Sequence, residues 1–434
     1  MAPTVSQLGP DLDVVLERAK ETGCFEFTGD DIIHGHVIRK SPLVDPDTSI
    51  DIRLHGRSEF RLRATSGMSS TGLSSHFKFF DESKNGLQIH QGPLHISSDG
   101  SGHGTWPFAI LLPKHPDLAA LRSDPSEKTF CPLSDIALQE IPPSFLVKEK
   151  SHGRLLEGLV EYYLEVTMRC SGTRSTLTST KNKEFTAIKL LSVRSGVSPA
   201  PITDFGIKKH SKLKRKVASQ RLAPGGESRL SIGQHIQKVL GSSQVPVYAF
   251  SLEVQVPTVL QIGNPNPIPL RIRAETSWAD TNEILRNMTP MILVKNLTMK
   301  LQTTCFCSSK KLKLKKNKER GMPAKSSLTL VQYSWTSDSR AVYDTAKTTV
   351  ATGLDEPSGA NSHIVPQDST TDLDLGVALG ILTPKKSGNE KIYPTFTTCN
   401  IRNTHDLEWW ITLIIGGETV KYNGHHSVTV IGPA

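Results

Sequence analysis

Three observations in the sequence predict an all-β protein built from antiparallel β-sandwiches. Apolar and polar residues alternate with a period of two in many short stretches, as half-buried strands require. Clusters of Gly, Pro, Asn and Ser, the residues that turn a chain, separate those stretches. Helical spacing of apolar residues is convincing only once. At 434 residues the chain can bury two large cores without disulfide staples. Its hydrophobic content of 37% and mean hydropathy of −0.27 predict polar loops among those cores.

In chain order, residues 1–10 read as a flexible N-terminus. Leu12, Val14 and Leu16 alternate, which favours an edge strand over a short helix across 12–20. Strands are predicted at 32–38, at 50–54, where Ile50, Ile52 and Leu54 oppose Asp51 and Arg53, and at 106–112. The clearest is 160–169, with Val160, Tyr162, Leu164, Val166 and Met168 on one face and Glu161, Glu165, Thr167 and Arg169 among the residues of the other. A strand at 186–193 completes a first domain over 11–194. Composition then shifts to Ser, Pro, Gly and Lys, so 195–244 reads as a basic linker. Within it Ile232, Ile236, Val239 and Leu240 predict a helix over 229–240, begun by a serine cap and ended at Gly241. A second domain over 245–434 holds predicted strands at 252–256, 268–273, 292–302, 409–415 and 426–432. A basic loop at 308–325 and a mobile insertion at 336–390 interrupt it; the latter is too long for a hairpin loop.

Several phrases, taken together and in order, resemble the fungal-type alpha-arrestins. They are Phe25 to Val37 with its Gly29 and Gly35, the strand ending His55-Gly56, the strand Gly104 to Pro113, the turn Ile141-Pro142-Pro143-Ser144-Phe145 and the strand from Gly158 to Leu164. In the second half, Arg221 to Gly226, Val245 to Leu252, and Phe396 to Ile401 followed by Trp409-Trp410 are similar to later segments of the same group. The resemblance implies two tandem immunoglobulin-like antiparallel β-sandwiches, the arrestin fold, with one short interdomain helix and long polar loops. It also implies a trafficking adaptor that binds the cytoplasmic tails of membrane transporters or receptors and recruits a HECT-type ubiquitin ligase for endocytosis. Such adaptors commonly recruit the ligase through Pro-Pro-x-Tyr motifs, and this sequence has none. The nearest segments are Pro142-Pro143-Ser144-Phe145, better explained as a structural turn, and Val245-Pro246-Val247-Tyr248. The alternative expectation is therefore an arrestin-like signalling scaffold that recruits no ubiquitin ligase.

No catalytic residue is predicted. Gly-x-Ser-x-Gly, His-Glu-x-x-His, Walker-A and paired-carboxylate patterns do not occur. No cofactor or metal is expected: Gly100 to Gly104 reads as a hairpin loop, and Cys305-x-Cys307 is a single close pair, whereas structural zinc uses two. The six scattered cysteines read as free thiols, these two as surface ones. The N-terminus has no secretory pattern, so the expected location is the cytoplasm, peripheral to the plasma membrane or endosomes.

The charge is concentrated. Residues 207–216 hold six basic residues and no acid, and 310–320 hold seven basic and one acid. Each run contributes +6 to a net charge of +9, so the remainder of the chain is slightly acidic. Lys208, Lys209, Lys212, Lys214, Arg215 and Lys216, with Lys310, Lys311, Lys313, Lys315, Lys316 and Lys318, are the candidate contacts to an anionic lipid surface or an acidic partner. No recognition helix or stacking aromatics accompany them, so no specific nucleic-acid partner is expected.

Overall fold

The computed structural model describes residues 12–17, 26–66, 69–81, 83–97, 104–122, 129–151, 154–171, 183–194, 196, 200–223, 245–285, 292–308, 322–334, 341–343, 370–384, 386–387 and 390–433. The protein is predominantly β-sheet with few, short helices. It divides into two compact units. Unit 1 comprises Met1–Val197, Thr304–Ala324 and Tyr393–Asn403; unit 2 comprises Ser198–Thr303, Lys325–Ile392 and Thr404–Ala434.

The first ten strands lie in unit 1: β1 (Leu12–Leu16), β2 (Glu26–Phe27), β3 (Ile32–Arg39), β4 (Leu43–Ser66), β5 (Ser69–Lys78), β6 (Gly86–Ile96), β7 (Gly104–Leu111), β8 (Phe145–Ser151), β9 (Arg154–Cys170) and β10 (Lys183–Val193). Two one-turn helices, α1 (Leu118–Leu121) and α2 (Leu133–Ala137), lie between β7 and β8. One sheet has the order β1-β3-β7, and the other β2-β10-β9-β4-β5, with β6 on β4 and β8 on β9. All these pairings are antiparallel except that of β2 with β10. The period-two pattern positions the core. Ile33 and Val37 of the small sheet and Ile50, Ile52, Leu54, Tyr162, Leu164 and Val166 of the large one are buried in one cluster. His34 and His36 fall on the opposite face of β3, exposed and half-buried respectively.

Unit 1 also takes residues from late in the chain. Cys305, Cys307, Ala324, Cys399 and Ile401 belong to its core cluster, and the Phe145 ring meets Tyr393 and Phe396 edge-on. Buried Asn400 ties this segment in, its Nδ2 donating to Ser75 Oγ at 2.9 Å, Ser75 O at 3.1 Å and Ser58 O at 3.4 Å. Stretches expected in the second domain thus pack within unit 1. The five described cysteines form no disulfide with one another. Cys305 and Cys307 are buried rather than on the surface, because both enter the unit 1 core. Burial pushes the Cys399 thiol up to about 12.

The remaining strands are β11 (Ile207–Lys209), β12 (Leu213–Ala218), β13 (Val247–Pro257), β14 (Val259–Gln261), β15 (Arg271–Thr276), β16 (Ile292–Cys307), β17 (Met322–Ser334), β18 (Ala341–Tyr343) and β19 (Thr370–Asp374). Helix α3 (Leu375–Ala378) follows, then β20 (Lys386–Ser387), β21 (Glu390–Lys391), β22 (Phe396–Thr397), β23 (Ile401–Ile415) and β24 (Glu418–Ile431). One sheet runs β11-β13-β15-β19 with β12 also on β13; another runs β14-β24-β23-β16-β17, with β18 on β16 and β22 on β23. Inward residues of both, including Phe250, Leu252, Val254, Ile272, Leu297, Trp409 and Ile411, share the core of unit 2.

Each predicted strand overlaps an observed one, with 268–270 preceding β15, 112 and 432 just past the ends of β7 and β24, and 18–20 outside the described residues. Three expectations change. Residues 200–223 of the expected linker belong to unit 2 and hold β11 and β12, because Phe205, Val217 and Leu222 are buried in its core. The expected basic loop ends earlier, since Met322 opens β17. The expected insertion at 336–390 contains β18, β19, α3 and β20, with β19 paired along Arg271–Glu275 and Leu375 and Ile381 in the core. The predicted helix over 229–240 lies outside the described residues.

Candidate interface for an anionic partner

The first basic run forms a sheet edge. Gly206, at φ 57, turns the chain into β11, and its N–H donates to Asp204 Oδ1 at 2.8 Å. A Cβ on Gly206 would collide with Thr258 Oγ1, so this turn needs glycine. Lys208 and Lys209 then lie opposite Val256 and Gln255 of β13. After the corner at His210–Lys212, Lys214, Arg215 and Lys216 lie opposite Ser251, Phe250 and Ala249. Leu213 and Val217 turn into the core, which orients Lys214 and Lys216 to the outer face.

All six cationic side chains are exposed. Lys212 pairs with Glu275, and Lys216 Nζ lies 2.7 Å from Asp280 Oδ1. The hydrogen bonds from Lys212 and Lys216 hold the Glu275 and Asp280 carboxyls below their usual range. Lys208, Lys209, Lys214 and Arg215 make no ion pair among the described residues. The edge therefore presents four cations that make no ion pair among the described residues, on a backbone held by the β13 ladder. Lysines on an edge also discourage indiscriminate strand pairing, so the charge serves the fold as well as any partner.

Lys310, Lys311, Lys313, Lys315, Lys316 and Lys318, the other half of the predicted contact set, lie outside the described residues. Sequence reasoning missed the layer beneath the edge, made by His210, Trp409, Tyr422 and His426. A histidine inside a lysine run and aromatics about 200 residues later offer no spacing signal for it.

The near-matches to a ligase-docking motif are not available as extended ligands. Pro142 and Pro143 are buried, and Tyr162 Oη donates to Pro142 O at 2.7 Å. Val245 and Tyr248 are also buried, at 5% and 1% exposure. Among the described residues no group of three or more His, Cys, Asp and Glu side chains is placed to hold a metal ion. No described helix is long and apolar enough to cross a membrane. Comparison with protein-family models and with curated proteins finds no match for this chain.

Proposed function

We propose that the chain is a non-catalytic adaptor of the arrestin type, folded as two immunoglobulin-like β-sandwiches in tandem. In this reading it works in the cytoplasm at the plasma membrane or endosomes. It binds the cytoplasmic tails of membrane transporters or receptors and links them to ubiquitin-ligase-dependent endocytosis.

The observation that carries the proposal is the β11–β12 edge, where four exposed cations without an ion pair among the described residues are set in a sheet. Acidic tail segments and anionic headgroups are the chemistry such an edge attracts, each cation near an acidic surface contributing about 1 kcal/mol. Two further observations support the sandwich reading. In each unit, inward residues of two sheets share a single core. Two residues within the phrases that resemble the alpha-arrestins act as fold residues: Asp30 takes φ 71 in the turn before β3, and Pro142 anchors Tyr162.

A second reading, a signalling scaffold that recruits no ligase, is favoured by the missing Pro-Pro-x-Tyr motif and by the burial of its near-matches. Proximity labelling in native cells separates the two. The adaptor reading predicts membrane transporters and a HECT ligase, both depleted when Lys208, Lys209, Lys214 and Arg215 are changed to Gln. Recovery of soluble signalling proteins with neither class would replace it with the scaffold.

A further inference from the structure

We propose that His210 and His426 form a proton-sensitive latch that holds the β11–β12 corner, and with it the basic edge, against the core of unit 2. The regulatory meaning of this latch rests on the reading of that edge as a partner surface.

His210 directly follows β11, and its backbone N–H donates to Val254 O at 2.9 Å. Its ring stands edge-on to both the Trp409 indole and the His426 imidazole, with centroids 5.3 Å away in each case. The next residue is pinned too: Ser211 O accepts from Tyr422 Oη, and the Tyr422 ring packs edge-on to Trp409 at 5.1 Å. One layer of four rings thus secures the corner between two cationic strands.

That layer suits neutral imidazoles. His426 is 4% exposed, and its Nε2 lies 2.8 Å from Pro257 O. A carbonyl only accepts, so Nε2 carries the proton and Nδ1 the lone pair. His426 Nδ1 and His210 Nε2 are buried without a hydrogen-bond partner among the described residues. A second proton on His426 would meet no acceptor among the described residues, and a protonated His210 would hold an Nε2 hydrogen with none.

The surrounding charges act the same way on balance. Burial is the largest effect holding both imidazoles below their ordinary range. Lys208 from β11 and His425 from β24 add to it at both rings, and each imidazolium would oppose the other. Asp406 of β23 and the Pro257 carbonyl of β13 favour the charged form at His426, without outweighing burial. Glu253 of β13 bears on Tyr422.

The sign follows from linkage. Both groups are harder to protonate in the closed corner than when hydrated. The closed form is therefore fully favoured above the ordinary His range, near 6.5, and loses ground as pH falls below it. Opening would release Lys208, Lys209, Lys212 and Lys214 from their fixed geometry, making the edge's affinity for an acidic partner depend on pH.

Hydrogen exchange of the full chain at pH 7.5 and 5.5, corrected for the intrinsic rate, tests the latch without any partner, so the latch can fail while the adaptor reading stands, and the reverse. Protection of 207–218 should fall about tenfold per pH unit for each proton taken up on opening, while 401–415 keeps its protection. His210→Phe keeps an aromatic edge against Trp409 and should flatten the dependence. His426→Gln can still donate to Pro257 O and should remove one proton from the slope. Unchanged protection of 207–218 at pH 5.5, or the same loss in both variants as in the parent chain, would overturn the proposal.

Discussion

Two buried polar residues hold distant parts of unit 1 together. Asn400 gives its amide hydrogens to Ser58 and Ser75, so replacing it by Ala strands buried acceptors and costs about 1–3 kcal/mol in urea unfolding. Asn400→Asp places a carboxylate against those carbonyls; its pKa would rise on folding, so the deficit should shrink as pH falls through the carboxylate range. Tyr162 makes a single buried bond to Pro142 O, and Tyr162→Phe should cost about 1 kcal/mol by the same measurement. The alternation that buries Tyr162 is readable in the sequence, since every second residue of 160–168 is apolar. The role of Asn400 is not, because its partners are more than 300 residues away and a buried asparagine has no local pattern.

At the scale of elements, strand identity is legible wherever one face is apolar. It is hidden where lysines occupy both faces. β12 does alternate, with Leu213 and Val217 inward, but Lys214, Arg215 and Lys216 mask that pattern and mimic a solvated linker. β11 is three exposed residues, too short to show a period. As edge strands they need little apolar surface, because one ladder to β13 and the corner at His210 secure them. Changing Lys208, Lys209, Lys214 and Arg215 to Gln should leave the unfolding midpoint nearly unchanged, since these side chains are exposed and make no ion pair among the described residues. Loss of stability comparable to a core substitution would mean that the four cations are structural.

For the whole molecule, sequence order and compact unit do not coincide. Unit 1 draws Thr304–Ala324 and Tyr393–Asn403 from late in the chain, while β11 and β12 precede the main run of unit 2 strands and complete its sheet. A fragment ending at residue 197 therefore lacks Cys307, Ile401 and the Asn400 hydrogen bonds. It should bind ANS and lose near-UV circular dichroism, whereas the full chain should do neither. Composition shows that there is room for two cores and where charge is concentrated. It does not show the interleaving, which depends on contacts with no local signature.

The most direct measurement is the binding of the purified full chain, at neutral pH and increasing salt, to vesicles containing phosphatidylserine and to an Asp/Glu-rich peptide. It should be made alongside the variant with Gln at positions 208, 209, 214 and 215. A basic edge that serves as a contact surface predicts binding to at least one probe that weakens with salt and falls by at least about tenfold in the variant. Equal binding by the two proteins, or none by either, would contradict the claim that the β11–β12 edge is a contact surface for anionic partners.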